Sequence, residues 1–257
     1  MNSSRLLATE EGPIELVERF SGDAGRGSFV LLHGIQGTAS AWEAVADHLG
    51  PGRAVLMPNL RGRGHSLSPA SIDRYTLKHF ARDLDAVIAA APPPVTLVGW
   101  SMGVLVALTW LQTRDSSKLD GLVLTSGTPY PGTEAVWFHG ADEAAISREA
   151  EERAERLHLA AAATTTAVAG AWLSVRAADL RGVLPKIALP TLVIHGGEDD
   201  QCPPDHAYQL AEGVPGARLE MWRGCGHNPM AFDASRFVAS LRAAGVCAAT
   251  NILSTTQ

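Results

Sequence analysis

Three kinds of side chain in this sequence could share one chemistry: Ser101, His227 and the acidic cluster Glu198, Asp199 and Asp200. A serine hydroxyl is a poor nucleophile unless a base takes its proton and an acid orients that base. Ser101 sits in Gly99-Trp100-Ser101-Met102-Gly103, and in a chain of 257 residues with 25 glycines that spacing alone is a weak signal. Its position carries more. The buried run "VTLVGW" (Val95 to Trp100) ends there and a helix from Met102 to about Thr113 begins. A tight strand-to-helix turn exposes its middle residue at the carboxyl end of a sheet, and the helix start favours developing negative charge. His227, in "GCGHNP" after the strand "ARLEMW", lies at the same edge. The acids follow the strand "TLVIHG" in "HGGEDDQCPP", and spacing alone leaves Glu198, Asp199 and Asp200 all open. The turn in "LLHGIQG" offers the backbone N–H of Ile35, which with that of Met102 would form an oxyanion hole. His33, His65 and His195 are weaker candidates at loops or strand ends, and His79, His158 and His206 read as solvent-facing. Cys225, two residues before His227, predicts sensitivity to thiol reagents by obstruction.

The elements that must hold these groups alternate. Strands are predicted at Ile14 to Phe20, Ser28 to His33, Arg53 to Pro58, Val95 to Trp100, Leu122 to Ser126, Thr191 to Gly196 and Ala217 to Trp222. Between them lie helices near Ser40 to Leu49, on the stripe Leu77, Phe80, Leu84 and Val87, near Asp205 to Glu212, and from about Met230 to Ala244. Strand and helix in alternation imply a parallel sheet covered on both faces. The segment 128–189 breaks the pattern and reads as helical throughout, an insertion between two parts of one core, 1–127 and 190–257. Within it, Glu149 with Arg153 and Glu152 with Arg156 read as i,i+4 pairs on a solvated face, opposite the stripe Ile146, Ala150, Ala154 and Leu157.

Composition narrows the partners. A formal net charge of −6 argues against nucleic acid, whose binding needs clustered cations. Cys202, Cys225 and Cys247 leave one thiol unpaired under any disulfide scheme and read as free thiols of a reducing compartment. The N-terminal "MNSSRLLATEEG" lacks an apolar h-region, and the run Leu157 to Leu173 is too short and too weakly apolar to span a bilayer. The expectation is a cytoplasmic protein without a membrane partner. Oligomeric state is not legible.

Five ordered blocks resemble the α/β-hydrolase superfamily: "LLHGIQGTASAW" its oxyanion loop, "PNLRGRGHS" its Asp-x-Arg-Gly-x-Gly-x-Ser segment, "VGWSMG" its nucleophile elbow, "IHGGEDDQCPP" its acid loop and "GCGHNPMAFDASRF" its histidine loop. The resemblance covers nearly the whole chain and implies a mostly parallel central sheet of about eight strands flanked by helices, with a small helical cap. Aligned on the family's Gly-x-x-Asp-x-x-x-Pro pattern, Gly197 and Pro204 select Asp200 as the acid. Two positions depart: Asn59 stands where the family usually has Asp, suggesting a lost ion pair, and Val104 stands where a small residue usually follows the elbow. The resemblance implies hydrolysis of an ester, lactone or thioester through an acyl-enzyme, with Ser101, His227 and Asp200 as triad and no cofactor or metal. A carbon–carbon bond hydrolase, a biosynthetic lactonase or cyclase, and a ligand receptor that keeps the triad are the alternatives. The cap implies an acyl pocket walled by Trp137, Phe138 and Trp172, with Trp100 beside the nucleophile, for a small to medium, apolar and uncharged substrate.

Overall fold

The computed structural model describes residues 2–19, 27–50 and 52–243. Phe20, Ala244, Cys247 and the C-terminal "TNILSTTQ" lie outside the described residues. Eight strands form one sheet: β1 (Asn2–Ala8), β2 (Pro13–Arg19), β3 (Ser28–Leu32), β4 (Ala54–Asn59), β5 (Val95–Trp100), β6 (Leu119–Thr125), β7 (Thr191–Gly196) and β8 (Arg218–Trp222). Their order is β1-β2-β4-β3-β5-β6-β7-β8. β1–β2 and β2–β4 are antiparallel pairs, and the remainder of the sheet is parallel. From β3 the chain steps outward to β4 and returns on the other side of β3 as β5. The carboxyl ends of β3 and β5 therefore flank the point where strand order reverses, which is where open α/β sheets leave a crevice.

Both faces are covered, as unbroken apolar strands require. β3 and β4 are buried at every position. On one face lie α1 (Glu43–Leu49) and α8 (Ala234–Ala243), where Trp42 and Trp222 both pack on Phe237, with ring centroids 5.8 and 6.4 Å apart. On the other lie α2 (Leu77–Ala90), α3 (Met102–Leu111) and α6 (Asp205–Gly213). The predicted stripe of α2 is buried as read. The final helix is broken at Asp233 into α7 (Pro229–Phe232) and α8.

Two expectations change. β1 has no counterpart among the strands expected from sequence, because its residues alternate weakly and Leu6 points outward; it is an edge strand, shielded by Arg5 paired with Glu18 at 3.0 Å. The segment 128–189 is not helical throughout. It holds α4 (Glu143–Arg156), α5 (Thr165–Val175) and a short 3₁₀ stretch, Arg181–Lys186, joined by irregular chain. Among the described residues no helix is long and apolar enough to cross a membrane.

Candidate active site

Ser101 follows the last residue of β5 and precedes the first of α3, with φ 56° and ψ −117°. A positive φ is strained for any residue with a Cβ, and the surroundings must enforce it. Close packing does so. A Cβ on Gly99 would lie 2.6 Å from the carbonyl oxygen of Gly103, and one on Gly103 would lie 2.6 Å from that of Leu32, so strand and helix meet only because both side chains are absent. Val104, the departure beside the elbow, is accommodated by a third glycine. A Cβ on Gly127 would lie 2.4 Å from Val104 Cγ2.

Ser101 Oγ donates to His227 Nε2 at 2.9 Å. His227 Nδ1 in turn donates to both carboxylate oxygens of Asp199, each at 2.9 Å. Asp200, the acid the family alignment selects, is exposed instead and lines an adjoining cavity. The reason lies in two doublets. Gly196 and Pro203 satisfy the same spacing one residue earlier than Gly197 and Pro204, and that register points at Asp199. The fold selects it through backbone contact: a Cβ on Gly196 would lie 2.0 Å from the Gly226 carbonyl oxygen, and Glu198 N–H donates to Cys225 O at 2.9 Å. The acid loop and the histidine loop are thereby clamped together.

Asp199 is fixed on its other side as well. Its Oδ1 accepts from the N–H groups of Gln201 and Cys202, both at 2.9 Å. Burial alone would raise its pKa; the hydrogen bond and charge of His227, with the Cys202 N–H, overcome that and hold the carboxyl below its ordinary value. His195 completes the surround, donating from Nε2 to Cys202 O at 2.7 Å with Asp199 Oδ2 3.4 Å away. Burial holds its pKa below the usual imidazole value. His206, read as solvent-facing, is buried on α6 against Thr128 Oγ1 at 2.8 Å.

The loop after β3 lies directly against the serine. A Cβ on Gly34 would be 3.3 Å from Ser101 Cβ. Two consecutive carbonyls of this loop are engaged by side chains: His33 Nδ1–H donates to Gly34 O at 2.8 Å, and Arg63 Nη2 donates to Ile35 O. His33 Nε2 accepts from Leu60 N–H at 3.1 Å, which fixes the tautomer. Its imidazole is held neutral, its pKa pushed down to about 3 by burial and by the Arg63 charge. Ile35 lines the cavity at Ser101, and Met102 opens α3, where the first backbone N–H groups have no intrahelical acceptor.

Asn59, the other departure, is buried between two partners. Its Oδ1 accepts from Ala39 N–H at 2.7 Å and its Nδ2 donates to Glu15 Oε2 at 2.8 Å. An aspartate there would face the Glu15 carboxylate. Arg61 pairs elsewhere, with Asp83 at 2.7 Å and Glu11 at 2.9 Å.

The cavity at Ser101 has a volume of about 340 Å³. Trp100 lines it and donates from Nε1 to His227 O at 2.9 Å. The other three aromatics read as pocket walls do not reach it. Trp172 is buried against Trp137 and Phe138, with ring centroids 5.4 and 6.2 Å apart, while Trp137 and Phe138 line the adjoining cavity. In their place stand Leu157, Leu159, Met230, Gln201 and Arg153. Leu157 was legible as part of the α4 stripe. Arg153 does not take up the expected pair with Glu149: it turns toward Gln201 and the cavity, and Glu149 instead accepts from His139 N–H at 2.7 Å. Cys225 is fully buried and its thiol is pushed up to about 11 by burial and the nearby Asp199 charge, which opposes the expected thiol sensitivity.

Comparison with known proteins agrees with this frame. The profile of the alpha/beta hydrolase family matches residues 29–241. The chain is 31% identical over 238 residues to a pimeloyl-(acyl-carrier protein) methyl ester esterase of Aromatoleum aromaticum, covering 79% of this chain and 92% of the relative. It is 25% identical over 242 residues to the protein of the same name from Nitrosospira multiformis, covering 82% and 92%. An esterase from Exiguobacterium antarcticum shares the fold, with a TM-score of 0.79 at 24% identity over 95% of this chain and 98% of that one. A family match across most of its length, with a relative above thirty per cent identity, makes this chain a member of the alpha/beta hydrolase family and a hydrolase.

Proposed function

We propose that the protein is a serine esterase that works through an acyl-enzyme on Ser101, with His227 as base and Asp199 as the acid behind it. The observation that carries this reading is the continuous line from Ser101 Oγ through the His227 imidazole to Asp199, with the hydrogen bonds at both ends of the ring 2.9 Å long. His227 takes the hydroxyl proton as Ser101 attacks the ester carbonyl carbon, and Asp199 stabilises the imidazolium. The N–H groups of Ile35 and Met102 receive the oxyanion of the tetrahedral intermediate. Its collapse breaks the bond to the alcohol, which leaves with the proton from His227. Water, deprotonated by His227, then attacks the acyl carbon and releases the acid and Ser101. The names of two relatives, both methyl ester esterases, support a small alcohol as leaving group.

In this reading the segment 128–189 is a cap. Its hydrogen bonds to the core loops support that role: Gln36 Nε2 donates to Ala150 O at 2.8 Å and Thr164 N–H to Gly62 O at 2.9 Å. The test is turnover of short p-nitrophenyl and methyl esters by the purified protein. Ser101→Ala is expected to abolish it while the melting temperature is retained, and turnover that persists in that variant would overturn the assignment.

A further inference from the structure

We propose that Arg153 forms an anion subsite in the cavity beside Ser101, so that the ester cleaved there is an otherwise apolar molecule carrying a carboxylate. The reaction in this statement rests on the esterase reading above; the binding does not. Among the described residues lining the cavity, Arg153 is the one formally charged side chain. Apolar Leu157, Leu159, Met230 and Ala231 supply much of the remaining wall. Arg153 is half-buried in that wall, so part of its hydration is lost, and a counter-charge on the cavity side would offset that loss.

The protein places no carboxylate in direct contact with it, and Asp200 acts on it only from a distance. Arg5, Arg53 and Arg61 each pair with a carboxylate at 2.7 to 3.2 Å. Among the described residues no carboxylate lies within 4.0 Å of the Arg153 guanidinium. Its partners are neutral: Nη2 donates to Gln201 Oε1, Nη1 reaches Trp137 O at 3.5 Å, and the group lies 5.5 Å from the centroid of Phe138. Glu149, Glu152, Arg156 and Asp200 line the adjoining cavity, which Arg153 shares. Burial weighs most on Arg153, and the like charge of Arg156 outweighs the opposite charge of Asp200, so its pKa falls below the ordinary arginine value. An anion arriving from the Ser101 side supplies what is missing.

The chemical class follows from the donors. A guanidinium offers a planar fork that a carboxylate meets with two parallel hydrogen bonds, and one cation matches one negative charge. The fork is already held by Gln201 and Phe138, so little ordering remains for the ligand to impose. This replaces the expectation of an uncharged substrate.

The test has two arms and one independent binding measurement. Monomethyl esters of linear dicarboxylic acids, from succinate to sebacate, are compared with their ω-amide counterparts, which places the charge on the acyl side. Acetate esters of ω-hydroxy acids and their amides place it on the alcohol side. On one side, at a favoured chain length, the carboxylate is expected to exceed its amide by about tenfold or more in kcat/KM, mainly through KM. That ratio should fall to about one in Arg153→Met and recover in part in Arg153→Lys. Calorimetry on Ser101→Ala reads binding of the same half-esters without turnover, with loss expected in the Ser101→Ala, Arg153→Met double variant. Binding that depends on Arg153 with no ester cleaved would sink the esterase reading and leave the subsite standing. Ester cleavage without carboxylate preference on either side, or a preference and binding unchanged by Arg153→Met, would overturn the subsite.

Discussion

Arg63 is 1% exposed, and both of its hydrogen-bonded arms go to backbone carbonyls, Nη1 to Arg61 O at 2.6 Å and Nη2 to Ile35 O. Its guanidinium lies 5.4 Å from the Phe80 centroid and burial pushes its pKa down to about 9. Held this way, it ties the loop after β4 to the loop that carries the Ile35 N–H. Arg63→Met releases the Ile35 carbonyl and is expected to lower kcat by tenfold to about a hundredfold with a smaller change in KM, since small misplacements of a reacting geometry cost that much. Arg63→Lys should restore part of it, and an unchanged kcat in the folded Met variant would contradict the role. At this scale the sequence was informative about types and ambiguous about register. Ser101 and His227 stand alone at their loops, so their placement was legible. Asp199 and Asp200 are adjacent between a Gly-Gly and a Pro-Pro doublet, and they are separated by tertiary contacts that the sequence does not show, the close approach of Gly196 to the Gly226 carbonyl and the Glu198 N–H on Cys225 O.

The elements were legible where burial is two-sided. β5 and β7 run over the predicted residues, because continuous β-branched runs bounded by turns leave few other readings. Where an element faces a cavity, the pattern failed. α4 shows the i,i+4 charge spacing of a solvated helix, yet Arg153 on it turns to Gln201 and the Ser101 cavity. Periodicity reports which residues share a face and does not report what that face meets. β1 escaped for a related reason, since an edge strand gains its order from pairing with β2 more than from its own apolar content.

The whole molecule carries a net charge of −6, so neutral and anionic substrates alike approach a surface that does not attract anions, and any carboxylate preference must come from a local cation such as Arg153. The same bookkeeping of protons sets its acid stability. His33 has its pKa lowered from 6.5 to about 3 in the fold, so the unfolded chain binds a proton there that the folded chain refuses. Its contribution is complete above pH 6.5 and is lost progressively as pH falls toward 3, at about 1.4 kcal/mol per unit at most. Glu11 and Glu15 would be raised by burial, but Arg61 on the first and the His65 N–H on the second hold each at about 2. Their share is lost later, as pH falls from 4.5 toward 2. His195, His206 and His79 are also held below 6.5 by burial and add losses of the same sign, so the melting temperature is expected to decline already between pH 6.5 and 5, before Glu11 and Glu15 titrate, and a flat profile over that interval would contradict the share assigned to these buried histidines.

The most direct test of the central claim is the rate at which a fluorophosphonate labels the protein, with the adduct located by peptide mass spectrometry, in the native chain and in Asp199→Asn and Asp200→Asn. A single adduct on Ser101 is expected, forming about 10⁴-fold more slowly in Asp199→Asn, as for a buried triad acid, and near the native rate in Asp200→Asn. An adduct on another residue, or equal slowing in the two variants, would contradict it.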